Sequence, residues 1–121
     1  MATYTSFEEL DCYKKYRMVR SWVHSFLKEQ GIKDRDIIQN IIRNGKYTTR
    51  NITGGFGRHR HKENMQYSRI ARGFLHEVVD DFNIIEDKGL ASKIHLEQGR
   101  KLDYQALISI NGCIKVYQRP Q

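Results

Sequence analysis

Apolar residues recur at three- and four-residue steps along most of the chain, and no sustained stretch alternates β-branched with polar positions. That period lays one wall of each segment against a core and predicts an all-α fold. The single proline, Pro120, leaves every periodic segment uninterrupted. Helices are expected at about 7–30, 35–55, 62–88 and 92–118. In the first, Ser6 and Glu9 have the spacing of a capping box. Cys12, Tyr16, Val19, Val23 and Phe26 then form the stripe, flanked by Trp22 and Leu27, and Gly31 ends it. The second helix begins near Asp34 or Asp36. It turns Ile37, Ile41, Thr48 and Ile52 inward with Ile38 and Phe56, and Gly54, Gly55 and Gly57 are expected to terminate it and shape the reversal into the third. The third carries Tyr67, Ala71, Phe74, Val78, Phe82 and Ile85 and stops at Lys88-Gly89. The fourth follows Ser92 with Leu96, Leu107, Ile110, Cys113, Ile114 and Tyr117 inward; Gly99 and Gly112 are each expected to weaken it by about 1 kcal/mol.

Four amphipathic helices with short connections read as one domain over residues 1–121, an antiparallel up-down-up-down four-helix bundle. Tyr13, Trp22, Met65, Ile84 and Ile108 lie beyond the central stripes. They point toward self-association, against the plainer reading of scattered surface hydrophobes.

Charge changes the picture more than composition does. The chain has 21 Lys and Arg against 14 Asp and Glu, a net +7. Residues 33–62 hold eight of those cations against two Asp, whereas residues 63–88 hold three against six carboxylates. The surplus is therefore local, as an anion-binding surface requires. On a helical wheel Arg35, Gln39, Arg43, Lys46 and Arg50 occupy an arc of about 80°, opposite the apolar side. A solvated face normally mixes signs, because opposite charges four residues apart stabilise a helix. This arc carries no carboxylate and continues into Arg58, His59, Arg60, His61 and Lys62. These nine cationic or titratable residues are the candidate nucleic-acid contacts; a plain solvated face and an acidic protein partner are the competing readings.

Other chemistry finds little footing. GGFGR at 54–58 has neither P-loop nor dinucleotide spacing, and its glycines suit a chain reversal better than a phosphate cradle. His59 and His61, flanked by arginines with no Cys or carboxylate partner, do not form a metal site and are expected to strengthen anion binding in acid. Arg69 and Arg72 lie in the acidic segment, where a structural or interface role is expected. Asn51 is expected to hold the turn through a local hydrogen bond. Cys12 and Cys113 show no metal spacing and read as buried free thiols rather than a disulfide. No apolar run approaches the roughly 18–20 residues that span a bilayer, and the polar, acidic start lacks a leader pattern, so a cytoplasmic location is expected. No nucleophile–base set, paired carboxylate motif or cofactor fingerprint appears, and neither enzyme activity nor a cofactor is expected.

Asn51-Ile52-Thr53-Gly54-Gly55-Phe56-Gly57-Arg58, then Lys62-Glu63-Asn64, then Ser68-Arg69-Ile70-Ala71-Arg72-Gly73, resembles the 23S rRNA intervening-sequence proteins. Thr53 and Gly54 replace that family's usual Ala-Glu, and Phe74 its usual Ser. The resemblance implies a four-helix bundle assembled as a ring-like homopentamer with a basic surface and no enzymatic activity. The same superfamily includes the accessory variability proteins of diversity-generating retroelements, basic pentamers that bind nucleic acid and associate with a reverse transcriptase.

The expected function is a non-enzymatic, homopentameric protein that binds RNA, or nucleic acid generally, through phosphates. The alternatives are an accessory subunit of a reverse transcriptase that holds its RNA and cDNA, and a scaffolding ring with an acidic protein partner.

Overall fold

A 3-10 turn, Phe7–Glu9, leads into four helices: α1 (Asp11–Glu29), α2 (Arg35–Phe56), α3 (His61–Asp87) and α4 (Lys93–Gln118). The computed structural model describes residues 6–57 and 61–118, with side chains at 6–57 and 62–116. Among the described residues there is no strand, and no helix is long and apolar enough to cross a membrane.

The helix ends follow from local chemistry, with one difference from expectation. Ser6 Oγ accepts the Glu8 N–H at 3.2 Å, which caps the short turn and not a long helix. Leu10 is extended, so α1 starts at Asp11. α1 and α3 each end in a glycine with positive φ, Gly31 at 62° and Gly89 at 64°. There the N–H of Ile32 donates to the Leu27 carbonyl, and that of Leu90 to the Ile85 carbonyl. These closures satisfy carbonyls the helices leave open and fold an apolar residue back onto the last turn. Asp34 Oδ1 accepts from the N–H groups of Asp36 and Ile37 at 3.1 and 3.3 Å and caps α2. Those donors, with Lys88 at 3.3 Å from Oδ2, hold its carboxyl below the usual range. Ser92 Oγ accepts the His95 N–H and starts α4 as expected.

The pairings run in opposite directions at every interface. Trp22 lies on Gly99, and Asp11 meets Ser109, so α1 and α4 are antiparallel. Gly55 meets Asn64, and Asn44 meets Asp81, across α2 and α3. Arg72 meets Asn111, and Arg100 meets Glu86, across α3 and α4. Arg20 meets Thr49 across α1 and α2. Each helix packs on the next and α1 closes against α4, while neither diagonal pair makes close backbone contact. The result is an antiparallel four-helix bundle. Its centre holds Tyr16, Val19, Ile41, Leu75, Val78, Phe82, Ile85, Leu96 and Ile110.

Three glycines serve differently from their expected roles. Gly54 and Gly55 do not end α2; the helix runs through them to Phe56, and the Gly57 cap has an ordinary φ of −70°. A Cβ on Gly55 would stand 2.8 Å from Asn64 Oδ1 and 2.9 Å from Tyr67 Cβ, both in α3. Gly55 is therefore the point of close approach between two helices, where helix breaking had been expected. Gly99 does not merely weaken α4: a Cβ there would meet the Trp22 ring at 2.5 Å. Trp22 stacks on Phe26 at 4.7 Å and meets Phe82 edge-on at 5.9 Å. Trp22 and Tyr13 thus belong to the core margin and not to a free surface. Asn51 Nδ2 donates to the Tyr47 carbonyl at 2.8 Å, a bond inside α2 and not across the turn. Arg72 has the expected structural role, with Asn111 as partner in place of a carboxylate.

Gly55→Ala and Gly99→Ala are each expected to lower the free energy of unfolding by about 1–3 kcal/mol, the usual range for overpacking. Gly112, with open space where a Cβ would stand, provides the contrast. Gly112→Ala is expected to raise stability by up to about 1 kcal/mol. Urea unfolding of the three variants separates packing glycines from merely helix-weakening ones.

Candidate nucleic-acid interface

α2 is held between two neighbours, α1 and α3, and its remaining side is open. Ile37, Ile41, Asn44, Thr48 and Ile52 are buried, which leaves the opposite arc to solvent. Arg35, Arg43, Lys46 and Arg50 are all exposed, as is Lys62 in the first turn of α3. Arg43, Lys46 and Arg50 border a shallow groove of about 320 Å³, floored by Ile38, Ile42 and Tyr47 and flanked by Gln39. Arg35 lies outside it, about 12 Å along the helix from Arg43 at the usual rise. The expected contacts at Arg58, His59 and Arg60 lie outside the described residues, as does the His61 side chain.

The groove's electrostatics are not uniform along its length. Arg43 donates to Asn40 Oδ1 at 3.0 Å and lies close enough to Asp81 of α3 for its charge to favour that carboxylate. Part of its field is therefore spent inside the molecule. Among the described residues no carboxylate lines the groove, so Lys46 and Arg50 present their charge outward. Arg20, by contrast, is tied to Thr49 at 2.8 Å and half-buried, which makes it a structural cation.

Tyr47 is the residue that charge counting passed over. Its ring packs on Phe74 of α3 at 5.2 Å, and the Arg50 guanidinium carbon lies 5.9 Å from its centroid. An aromatic surface among cations suits a ligand with both phosphates and flat bases. The sequence signal was present: Tyr47 follows Lys46 directly and precedes Arg50 by three, one helical turn.

A second set of polar groups lies inside the bundle. Asn44 Nδ2 donates to Asp81 Oδ2 at 2.9 Å, buried between α2 and α3. Thr48 donates to the Asn44 carbonyl at 2.8 Å. Asp103 and Tyr16 are each 1% exposed; Asp103 Oδ1 has no hydrogen-bond partner among the described residues, while the Tyr16 hydroxyl lies near Thr48. Burial pushes the Asp103 carboxyl up to about 8, and burial, then the neighbouring carboxyl of Asp103, drives the Tyr16 phenol upward as well. Burial raises Asp81 to about 6, against the hydrogen bond from Asn44, with the negative charges of Asp80 and Glu77 adding to the rise. Asp103 also borders a largely apolar cleft of about 480 Å³ between α3 and α4, with His76, Arg100, Lys101 and Tyr104 around it. The described residues contain no group of three or more His, Cys, Asp or Glu side chains able to hold a metal.

No protein-family model matches the chain, and no curated protein matches it in sequence.

The buried carboxyls give stability a definite pH dependence. Asp103 and Asp81 bind their protons more tightly in the folded chain than in the unfolded one. Their stabilising contribution is complete below the ordinary value of 3.8 and is lost as pH rises through about 6 for Asp81 and about 8 for Asp103. Urea unfolding is expected to show lower stability at pH 8.5 than at pH 5. Asp103→Asn, a neutral isostere, is expected to remove about 1–3 kcal/mol of that difference.

Proposed function

We propose that this chain is a non-enzymatic nucleic-acid-binding protein, with RNA as its ligand, that contacts phosphates through the open face of α2. The observation that carries the reading is the groove that Arg43, Lys46, Arg50 and Tyr47 line together, with no carboxylate among the described lining residues. Guanidinium and ammonium groups bind phosphate oxygens in any sequence, and an aromatic floor accepts any base, so binding of low sequence specificity follows. The resemblance of residues 51–73 to the 23S rRNA intervening-sequence proteins, which implies a basic surface and no enzymatic activity, is in keeping with this reading.

A homopentamer belongs to this proposal. Ile94, Tyr104, Ile108 and Val116 of α4 are exposed at 72, 61, 57 and 45%, a considerable apolar surface for a free bundle to leave in water. A ring would bring several copies of the α2 groove to one ligand, and avidity would rise without any new kind of contact. Static light scattering tests the ring; a stable monomer at working concentration overturns it.

Binding of a single-stranded RNA, measured against salt, tests the ligand. Each phosphate contact contributes about 0.7 to the slope of log K against log salt for a single strand. The triple variant Arg43→Ala, Lys46→Ala, Arg50→Ala is expected to reduce the magnitude of that slope by about 2 per subunit engaged. No binding by the native protein at low salt, or an unchanged slope in the variant, refutes the reading. Equal affinity for poly-glutamate would favour an acidic protein partner instead.

A further inference from the structure

Cys12 and Cys113 are 101 residues apart in sequence, yet their sulfurs are 3.5 Å apart and share a hydrogen bond. Both are free thiols. Cys12 lies in the first turn of α1, and Cys113 faces it from α4. The two helices are held in register beside them by the Ser109 hydroxyl, which donates to Asp11 Oδ2 at 2.6 Å. A disulfide requires sulfurs about 2.0 Å apart, so a further approach of about 1.5 Å would join them. Cys12 is buried at 3% exposed and Cys113 is half-buried, so the two sulfurs differ in their access to solvent.

We propose that Cys12 and Cys113 form a peroxide-responsive thiol pair, which on oxidation staples the start of α1 to the end of α4. The geometry also assigns the order of events. The more accessible Cys113 thiolate attacks one peroxide oxygen; the O–O bond breaks, and water leaves after protonation. The product is a Cys113 sulfenic acid. The Cys12 sulfur, already in contact, gives up its proton and attacks the Cys113 sulfur, expelling the hydroxyl as a second water. Two thiols and one hydrogen peroxide thus become one disulfide and two waters. Donation from the Cys12 S–H favours the Cys113 thiolate and lowers that thiol from its ordinary value, while the same contact and burial push Cys12 up, in agreement with Cys113 as the attacking group and Cys12 as the resolving one.

The test is hydrogen peroxide added to the intact protein, followed by intact mass, free-thiol titration and thermal unfolding. Expected is the loss of both thiols with a mass fall of about 2 Da within single chains, reversed by dithiothreitol. The closed loop is long, so the melting temperature is expected to rise by at least about 5 °C. In Cys12→Ser, Cys113 has no resolving partner and is expected to proceed to the sulfinic acid, a gain of about 32 Da. Cys113→Ala, at the less buried position, is expected to fold and to show no melting shift with peroxide. Native protein that keeps both thiols, forms only interchain disulfides, or gains oxygen as readily as Cys12→Ser overturns the proposal.

Discussion

Gly55 carries no side chain because Asn64 and Tyr67 of the next helix occupy the space where one would stand, at 2.8 and 2.9 Å from the position of a Cβ. At that point the α2 backbone approaches α3 with no side chain between them, and α2 cannot rotate without losing the contact. The rotation of α2 then decides everything on its surface. Ile37, Ile41, Thr48 and Ile52 are directed inward, and Arg43, Lys46 and Arg50 are left on the opposite arc. Tyr47 follows from the same constraint: wedged against Phe74 on one side, it can present the rest of its ring only to the basic groove. Gly99 plays a matching part on the other side of the bundle, where it admits the Trp22 ring between α1 and α4.

The interior is not wholly apolar, and its polar groups bear on register more than on stability. The Asn44–Asp81 bond crosses α2 and α3 at 2.9 Å in a buried place. Burial of a carboxyl without full compensation costs free energy, which here appears as proton affinity: Asp81 is raised to about 6 and Asp103 to about 8. A sliding helix would separate Asn44 from Asp81 and leave both unpaired, at a cost of about 1–3 kcal/mol for each buried group. The pair therefore penalises wrong alignments even where hydrophobic residues alone would fit equally well.

Much of the fold was legible because helix periodicity is a one-dimensional signal. The stripe Cys12-Tyr16-Val19-Val23-Phe26 is buried throughout; of the third-helix stripe Ala71, Val78, Phe82 and Ile85 are buried, while Tyr67 and Phe74 are half-buried at its margin. Gly31 and Gly89 were read as stops, and each takes the positive φ that only glycine adopts without cost. The expected first helix starts four residues too early, because the capping signal at Ser6 serves a short turn that Leu10 interrupts. The core places of Asp81 and Asp103 went unread, since a carboxylate on a helix is ordinarily at the surface. Asp103 nevertheless follows the 96, 99, 103, 106, 110 spacing of the α4 inner face, and that spacing was the available signal.

The candidate groove divides the same way. Its cations were legible as an 80° arc because a helix wheel depends on spacing alone; its aromatic floor was not, because Tyr47 acquires its place from Phe74, 27 positions away in sequence. The sequence by itself determined four amphipathic helices, the glycine stops of α1 and α3, the sidedness of α2 and the concentration of positive charge, all properties of spacing within one segment. Only the tertiary structure decided that Gly54 and Gly55 pack a neighbour instead of ending a helix, that Trp22 belongs to Gly99, and that Asp103 and Tyr16 are both buried with the charge of one bearing on the other. The same holds for the contact between two cysteines at the two ends of the chain. Each of these depends on which residues of different helices come within a few ångströms, a relation set by the packing of whole surfaces and not by the local pattern of any one of them.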